Sequence, residues 1–337
     1  MPGRLSGKNR MKVLVSAPYI IPDLDQFKGL FAQAGIQLVV AEVQERLSAE
    51  QLRPYAGAVD GVICGDDEFS AEVLEAFSPR LRVISKWGTG IDSIDWQTAS
   101  RLGISVRNTA DAFIEPVSDS VLGYILSFAR GLTAMDRKMK AGEWDKTPGW
   151  ALHEQTLGVV GVGRIGRRIV EKSAAFGITL LGNDIVEIDP AFIGKHGLAM
   201  LRLENLLARS DYVSLSVDLN PSSYHMMNAE TLALMKPSSV LINAARGRVV
   251  DEPALVEALR GGRLRGAAMD VFEEEPLPAD SPLRGFDNVM LAPHNANASP
   301  AAWARVHRTT IRHLLEELDI EVPPDLAEQG SPREERP

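Results

Sequence analysis

A chain of 337 residues with 45% hydrophobic and 24% charged residues is long enough for two ordinary domains and has the balance of a globular protein rather than a disordered one. Its formal net charge of −9 argues against a nucleic-acid partner, because phosphate contact needs a basic face. A small anionic substrate stays open, since a few local cations and backbone N–H groups can reverse the field inside a cleft.

Cys64 is the only cysteine, which rules out an intrachain disulfide and a thiolate metal cluster, and no metal site is expected. No apolar run approaches the roughly 18 residues that span a bilayer, so a cytoplasmic protein without a membrane partner is expected. The first segment, "MPGRLSGKNR", is basic and lacks the apolar stretch of a secretory signal, and it reads as a flexible extension. "MKVLVSAP" then reads as a buried strand, "QFKGLFAQAG" as an amphipathic helix closed by Gly35, and "IQLVVAE" as a second strand. The strand "AVDGVICG", the helix "SAEVLEAFS" and the strands "LRVISKWG" and "ISVRNT" complete one α/β unit. Such alternation implies parallel pairing through right-handed crossovers.

"VSDSVLGYILSFARGLTAMDRKMKAGEW" reads as one long helix, apolar on more than one face, and predicts burial against something larger than one sheet, such as a partner subunit. The alternation restarts at "TLGVVGVGRIGRRIVEKSAAFGITLLGND" and runs through "YVSLSV", "SSVLINAA", "LRGAAMDV" and "NVMLAPH", a second parallel sheet. The last helix, "SPAAWARVHRTTIRHLLEEL", is expected to return to the first domain, and the charged, Pro-rich tail "EVPPDLAEQGSPREERP" to be disordered. The expected division is residues 1–108 with 297–337 as one discontinuous domain and 109–296 as the other.

Gly161, Gly163 and Gly166 form G-x-G-x-x-G between the strand "TLGVV" and the helix "RIGRRIVEKSAAFG". Asp184 ends the next strand at about the 20-residue spacing of a ribose-binding carboxylate. Each part suits a dinucleotide: Gly161 permits the tight turn, Gly163 the approach of pyrophosphate, and Gly166 close helix–strand packing. The helix N-terminus offers free N–H groups. A carboxylate at Asp184 repels a 2′-phosphate, which favours NAD over NADP.

Three later strands end in polar residues that packing alone does not ask for: Arg246 after "SSVLINAA", Asp270 and Glu275 after "LRGAAMDV", and His294 after "NVMLAPH". Ligands of open parallel sheets bind at the carboxyl ends of the strands. Arg246, Glu275 and His294 are therefore expected to converge on the nicotinamide end of the cofactor.

The segments "LGVVGVGRIG", "INAARGRVVDEPALVEAL", "GAAMDVFEEEPLP" and "LAPH" resemble the D-isomer-specific 2-hydroxyacid dehydrogenase family, which includes D-3-phosphoglycerate dehydrogenases, glyoxylate/hydroxypyruvate reductases and D-lactate dehydrogenases. The resemblance runs from Met11 to the last helix. It implies an α/β protein of two doubly wound parallel-sheet domains, a Rossmann NAD-binding domain and a flavodoxin-like substrate domain, usually dimeric through the former. By position, the catalytic arginine of the family matches Arg246, its glutamate before the proline of "EEP" matches Glu275, and its histidine of "PH" matches His294. Asp270 matches the carboxylate that holds the nicotinamide carboxamide. Arg164, Ile165, Val217, Ala244 and Ala245 fall at cofactor-binding positions, with Thr89 also touching the cofactor. "SKWGTGIDSID" resembles the substrate-carboxylate loop, where Gly88, Thr89 and Gly90 form an anion nest and Lys86 and Trp87 lie where specificity is set.

The chemistry follows. Reducing a 2-oxo acid needs a cation for the carboxylate and carbonyl oxygens, which the planar fork of Arg246 supplies. His294 suits the proton, and a hydrogen bond from Glu275 would favour its imidazolium and orient the ring. The expected substrate is of the 3-phosphoglycerate, hydroxypyruvate or glyoxylate type. Alternatives on the same scaffold are phosphite or formate oxidation, or an NAD-sensing corepressor-like interaction protein. Ser216, Val217 and Asp218 depart from the "LHLPLT" common in relatives, near the adenosine and pyrophosphate side, and Asn295 departs beside His294.

Overall fold

β1 (Met11–Val15), β2 (Ile36–Val40), β3 (Gly61–Cys64), β4 (Val83–Lys86) and β5 (Ser105–Arg107) form a parallel sheet in the order β2-β1-β3-β4-β5. This is the flavodoxin-like order. The coordinates are a computed structural model that describes residues 10–326. The basic N-terminal segment up to residue 9 and the tail from residue 327 lie outside the described residues. The start of the tail expected to be disordered, residues 321–326, instead ends in a turn: the Leu326 N–H donates to the Pro323 carbonyl at 3.0 Å, and Leu326 is buried.

β6 (Thr156–Val160), β7 (Thr179–Asn183), β8 (Ala199–Met200), β9 (Tyr212–Leu215), β10 (Val240–Asn243), β11 (Gly266–Met269) and β12 (Val289–Leu291) form the second parallel sheet, ordered β12-β11-β10-β9-β6-β7-β8. The chain winds outward from β6 to β8, returns to β9 on the other side, and winds outward again. A doubly wound sheet of this kind opens a ligand crevice beside its first strand, between β6 and β9.

Strand pairing sorts the core. Leu157, Val159, Leu180, Val240 and Ile242 belong to one buried cluster, while Val160, Leu181, Leu241 and Met269 belong to another. Neighbouring residues alternate between clusters because successive side chains of a strand point to opposite faces. Both faces are covered, so these strands read as continuous apolar runs in the sequence.

Contacts divide the chain into two compact units. One comprises residues up to Ala112 with those from Pro300; the other is Phe113–Ser299. The last helix, Pro300–Glu317, packs on β3 and β4 of the first sheet: Ser85 Oγ donates to the Thr310 carbonyl at 2.7 Å. Leu314 lies so close to Gly61 that an added Cβ would meet it at 2.9 Å.

The single long helix expected over 117–144 is two helices, Ile114–Arg130 and Leu132–Lys140. Gly131 between them adopts φ 64°, a left-handed conformation that ends the first helix. The expected burial holds for the first helix only; Leu132–Lys140 buries no residue. Among the described residues, no helix is long and apolar enough to cross a membrane, and no group of His, Cys, Asp and Glu could hold a metal ion.

Candidate active site

The glycine loop follows β6 directly. Gly161 has φ 88°, and a Cβ there would meet the Ser216 carbonyl oxygen at 2.4 Å, so β9 crosses too close for any side chain. Gly166 faces Gly161 even more tightly, with its Cβ position 1.9 Å from the Gly161 carbonyl oxygen. That contact seats the helix Arg164–Ala174 against the strand it follows. Gly163 is the N-cap of this helix, and its own Cβ position meets no atom within 4 Å. A crowded turn with open space at a helix N-terminus is the shape a pyrophosphate needs, and the residues present fit NAD.

Asp184 accepts the Val162 N–H at 2.6 Å and the Val186 N–H at 3.0 Å. It therefore braces the glycine loop from the end of β7 while keeping lone pairs for further donors such as ribose hydroxyls. Ile165 and Ala244 pack on one core cluster, and Val217 and Ala245 on the other. The Ser216 N–H donates to the Val160 carbonyl at 2.7 Å, which extends the β6–β9 pairing past the strand end. Arg164 is the first residue of the helix.

The ends of β10, β11 and β12 are laced together beyond the sheet. The Asp270 N–H donates to the Asn243 carbonyl at 2.9 Å, and the His294 N–H donates to the Asp270 carbonyl at 2.7 Å. Asn243 Nδ2 donates to the Arg246 carbonyl at 2.9 Å, fixing the turn that carries this half-buried guanidinium. Gly247 permits the next contact: a Cβ on it would lie 1.8 Å from the Phe272 carbonyl oxygen. The backbone bearing Glu275 thus presses against the backbone bearing Arg246.

His294 Nδ1 and Glu275 Oε2 are 2.9 Å apart, and the other Glu275 oxygen accepts the Phe272 N–H at 2.9 Å. An ionised carboxylate only accepts, so Nδ1 carries the proton of this bond and the ring is oriented by it. The loop bearing Glu275 is held further by a reciprocal pair: Glu273 N–H donates to Glu252 at 2.6 Å, and Glu252 N–H donates to Glu273 at 2.9 Å. Burial pushes the Glu252 carboxyl above its ordinary range; the Glu273 N–H opposes this and the neighbouring negative charges add to it.

Asp270 is fully buried. Its carboxylate accepts the Asn295 N–H at 3.0 Å, the Ala296 N–H at 2.9 Å and the Tyr124 hydroxyl at 3.3 Å. Burial, then the charge of Asp270, raises the Tyr124 phenol. Asp270 therefore anchors the segment after His294, a role the sequence did not suggest, and Asn295 serves it through its backbone.

The substrate-loop candidates lie in the other unit. Lys86 is only 3% exposed; its ammonium lies 3.1 Å from Asp66 and donates to the Trp87 carbonyl at 3.2 Å. Trp87 is also buried, and the Lys86 ammonium lies 3.3 Å from the position a Cβ on Gly88 would take. Gly88 has φ 126° and its N–H donates to Thr109 Oγ1 at 3.2 Å. The Thr89 hydroxyl donates to the Thr109 carbonyl at 3.3 Å, and Asn108 Nδ2 to the Thr89 carbonyl at 2.5 Å. Asn108 and Thr109 had no signal in the sequence beyond ending a strand, since their partners lie 19 to 21 residues away.

Residues 122–296 match the family model described as "D-isomer specific 2-hydroxyacid dehydrogenase, NAD binding domain". A glyoxylate reductase of Thermofilum pendens is 39% identical over 286 residues, covering 83% of this chain and 84% of the relative. A D-3-phosphoglycerate dehydrogenase of Methanocaldococcus jannaschii is 37% identical over 265 residues, 77% of this chain but 50% of that longer protein. Among solved structures, a D-lactate dehydrogenase from Aquifex aeolicus, complexed with NAD and lactic acid, superposes with a TM-score of 0.78 at 26% identity. The match covers 91% of this chain and 97% of that one. With a glycine loop that fits NAD and this extent of similarity, the chain belongs to the D-isomer-specific 2-hydroxyacid dehydrogenase family and is an NAD-dependent oxidoreductase of 2-hydroxy acids.

Proposed function

We propose that this enzyme reduces a small 2-oxo acid of the glyoxylate or hydroxypyruvate type, with His294 as proton donor, Glu275 as its partner and Arg246 as the substrate-orienting cation. NADH supplies the hydride. The observation that carries the reading is the His294–Glu275 pair at 2.9 Å, which orients the ring through Nδ1 and supports assigning the proton exchange to Nε2. Arg246, on the turn after β10, donates from Nη1 to the Ala245 carbonyl at 2.9 Å. Its guanidinium is assigned to the substrate carboxylate and carbonyl oxygens and to the developing alkoxide as the proton arrives from Nε2. Asp184 is assigned to the adenosine ribose and the 161–166 loop to the pyrophosphate, with Arg164, Ile165, Val217, Ala244 and Ala245 lining the cofactor. Asp270 keeps capacity for one more donor, which fits a nicotinamide carboxamide.

In the other unit, the Gly88–Gly90 turn is assigned to the substrate carboxylate. The Gly88 N–H is already taken by Thr109, so the Thr89 and Gly90 N–H groups are the ones that bind. Residues up to Ala112 with those from Pro300 are accordingly assigned as the substrate domain, and Phe113–Ser299 as the nucleotide domain. The glyoxylate type is supported by the glyoxylate reductase relative. A homodimer through the nucleotide domain and a cytoplasmic location complete the reading.

The test is NADH consumption against a panel of 2-oxo acids, with phosphite and formate offered in the oxidative direction. Glyoxylate and hydroxypyruvate are expected to give the highest kcat/KM. Faster turnover of phosphite, formate or a bulky 2-oxo acid overturns the substrate assignment.

A further inference from the structure

Trp87 stands between β4 and the Gly88–Gly90 turn, and its environment is more specific than core packing requires. Its indole Nε1 donates to His307 Nδ1 at 2.9 Å, and His307 Nε2 lies 3.2 Å from Asp23 Oδ2. His307 sits on the helix Pro300–Glu317 and Asp23 in the 3-10 turn Ile21–Phe27, so the relay ties both ends of the chain to this loop within one compact unit. Trp87 and His307 are each 4% exposed.

The chemistry of the three groups allows one proton arrangement. An indole N–H only donates, so His307 Nδ1 must accept; a carboxylate only accepts, so His307 Nε2 must carry the hydrogen. The neutral Nε2–H tautomer satisfies both neighbours at once. Burial lowers the His307 pKa, with Asp23 opposing, and this keeps the ring in the neutral form. Two further rings join His307 in wedging the indole in place. Tyr19 lies 5.3 Å, Trp303 5.8 Å and His307 5.9 Å from Trp87 by ring centroids, and Tyr19 is held in turn by Glu45 at 3.1 Å. The main chain is pinned at the same residue, with the Trp87 N–H donating to the Cys64 carbonyl at 2.8 Å.

We infer that His307 is a positioning residue for substrate binding: by accepting from the Trp87 indole while donating to Asp23, it fixes the origin of the turn whose Thr89 and Gly90 N–H groups take the carboxylate. The inference rests on the assignment of that turn to the substrate. His307 touches neither substrate nor cofactor in this role. Its loss therefore weakens substrate binding and leaves proton and hydride transfer intact.

Two substitutions separate positioning from bulk stability. His307→Asn keeps an oxygen near the position of Nδ1, and His307→Phe keeps the ring and removes the acceptor. The Trp87 indole N–H signal in a nitrogen–proton NMR spectrum, identified by its loss in Trp87→Phe, reports the bond without any turnover. For His307→Phe the expected result is faster solvent exchange of that N–H and a KM for glyoxylate raised about tenfold. The kcat at saturation and the NADH dissociation constant stay within about twofold of wild type. His307→Asn is expected to retain the protected signal and a KM within about threefold of wild type.

An indole signal unchanged in His307→Phe overturns the inference, as does a released indole with unchanged KM. Parallel losses of kcat, NADH affinity and thermal stability overturn it too, since they assign His307 to structure alone. Gly90→Val, which places a side chain over the turn, distinguishes the two layers of the reading. If Gly90→Val raises KM and His307→Phe does not, only the role of His307 fails. If neither raises KM, the assignment of the turn to the carboxylate fails.

Discussion

His294 has φ 51°, a left-handed backbone uncommon outside glycine. Its N–H, shared between the Asp270 and Ala292 carbonyls, and its ring, bonded to Glu275, help to hold it there. That conformation turns the chain sharply after β12 and fixes the ring orientation before any substrate arrives. His294→Ala is predicted to lower kcat by roughly 10²–10⁴-fold while NADH binding, read by fluorescence titration, stays near wild type. Glu275→Gln keeps the shape but replaces the carboxylate that holds Nδ1. The kcat for reduction is then predicted to fall by roughly tenfold or more with NADH binding near wild type, and an unchanged kcat would remove Glu275 from its assigned role. The "EEP" and "PH" motifs made this pair legible in the sequence. Its anchoring by Asp270 was not legible, because an aspartate at a strand end reads the same whether it holds a ligand or a loop.

Strand ends carry the residues assigned to the chemistry, and one of them also carries a pH response. Asp67 follows β3; it accepts from Ser16 at the end of β1 and from the Leu47 N–H at 2.8 Å. Burial pushes its carboxyl up from 3.8 to about 6, with those two hydrogen bonds opposing the shift. Below about pH 3.8 the acid is protonated whether the chain is folded or not, and its contribution to stability is complete. As pH rises through about 6 the folded protein must ionise a buried acid, and that contribution is lost. Asp67→Asn keeps an oxygen for Leu47 and a polar group for Ser16. It is predicted to be more stable than wild type at pH 8 by about 1–3 kcal/mol, the difference shrinking toward pH 4. Denaturant unfolding at both pH values measures this, and a variant less stable than wild type at pH 8 contradicts it. Helix ends follow the same lesson: Gly131 divides what periodicity joined, because a left-handed glycine stops a helix whose apolar pattern continues.

For the whole molecule, the helix Leu132–Lys140 and the segment after it pose the main question. Leu132 and Met139 are exposed, as are Trp144 at 80% and Trp150 at 53%. Large apolar side chains exposed along one stretch of chain suit an interaction surface, and the proposed homodimer assigns a second copy of the chain to it. Sedimentation equilibrium is expected to give a dimer. Replacing Trp144 and Met139 together with aspartate is expected to shift the equilibrium toward monomer, and a wild-type monomer at micromolar concentration overturns the assignment.

Much about this protein was legible in the sequence alone: the alternation of strands and helices, the glycine loop, the acidic end of β7 and the polar residues that close three later strands. These are local signals, because a glycine in a tight turn or a histidine after an apolar strand is constrained by residues next to it. Tertiary structure decided the rest. It turned Lys86 and Trp87 inward, committed the Gly88 N–H to Thr109, and joined Asp23, Trp87 and His307 across 284 residues of chain. A hydrogen bond between distant residues leaves no period in the sequence, and the side chains that form it look like any others until the sheet brings them together.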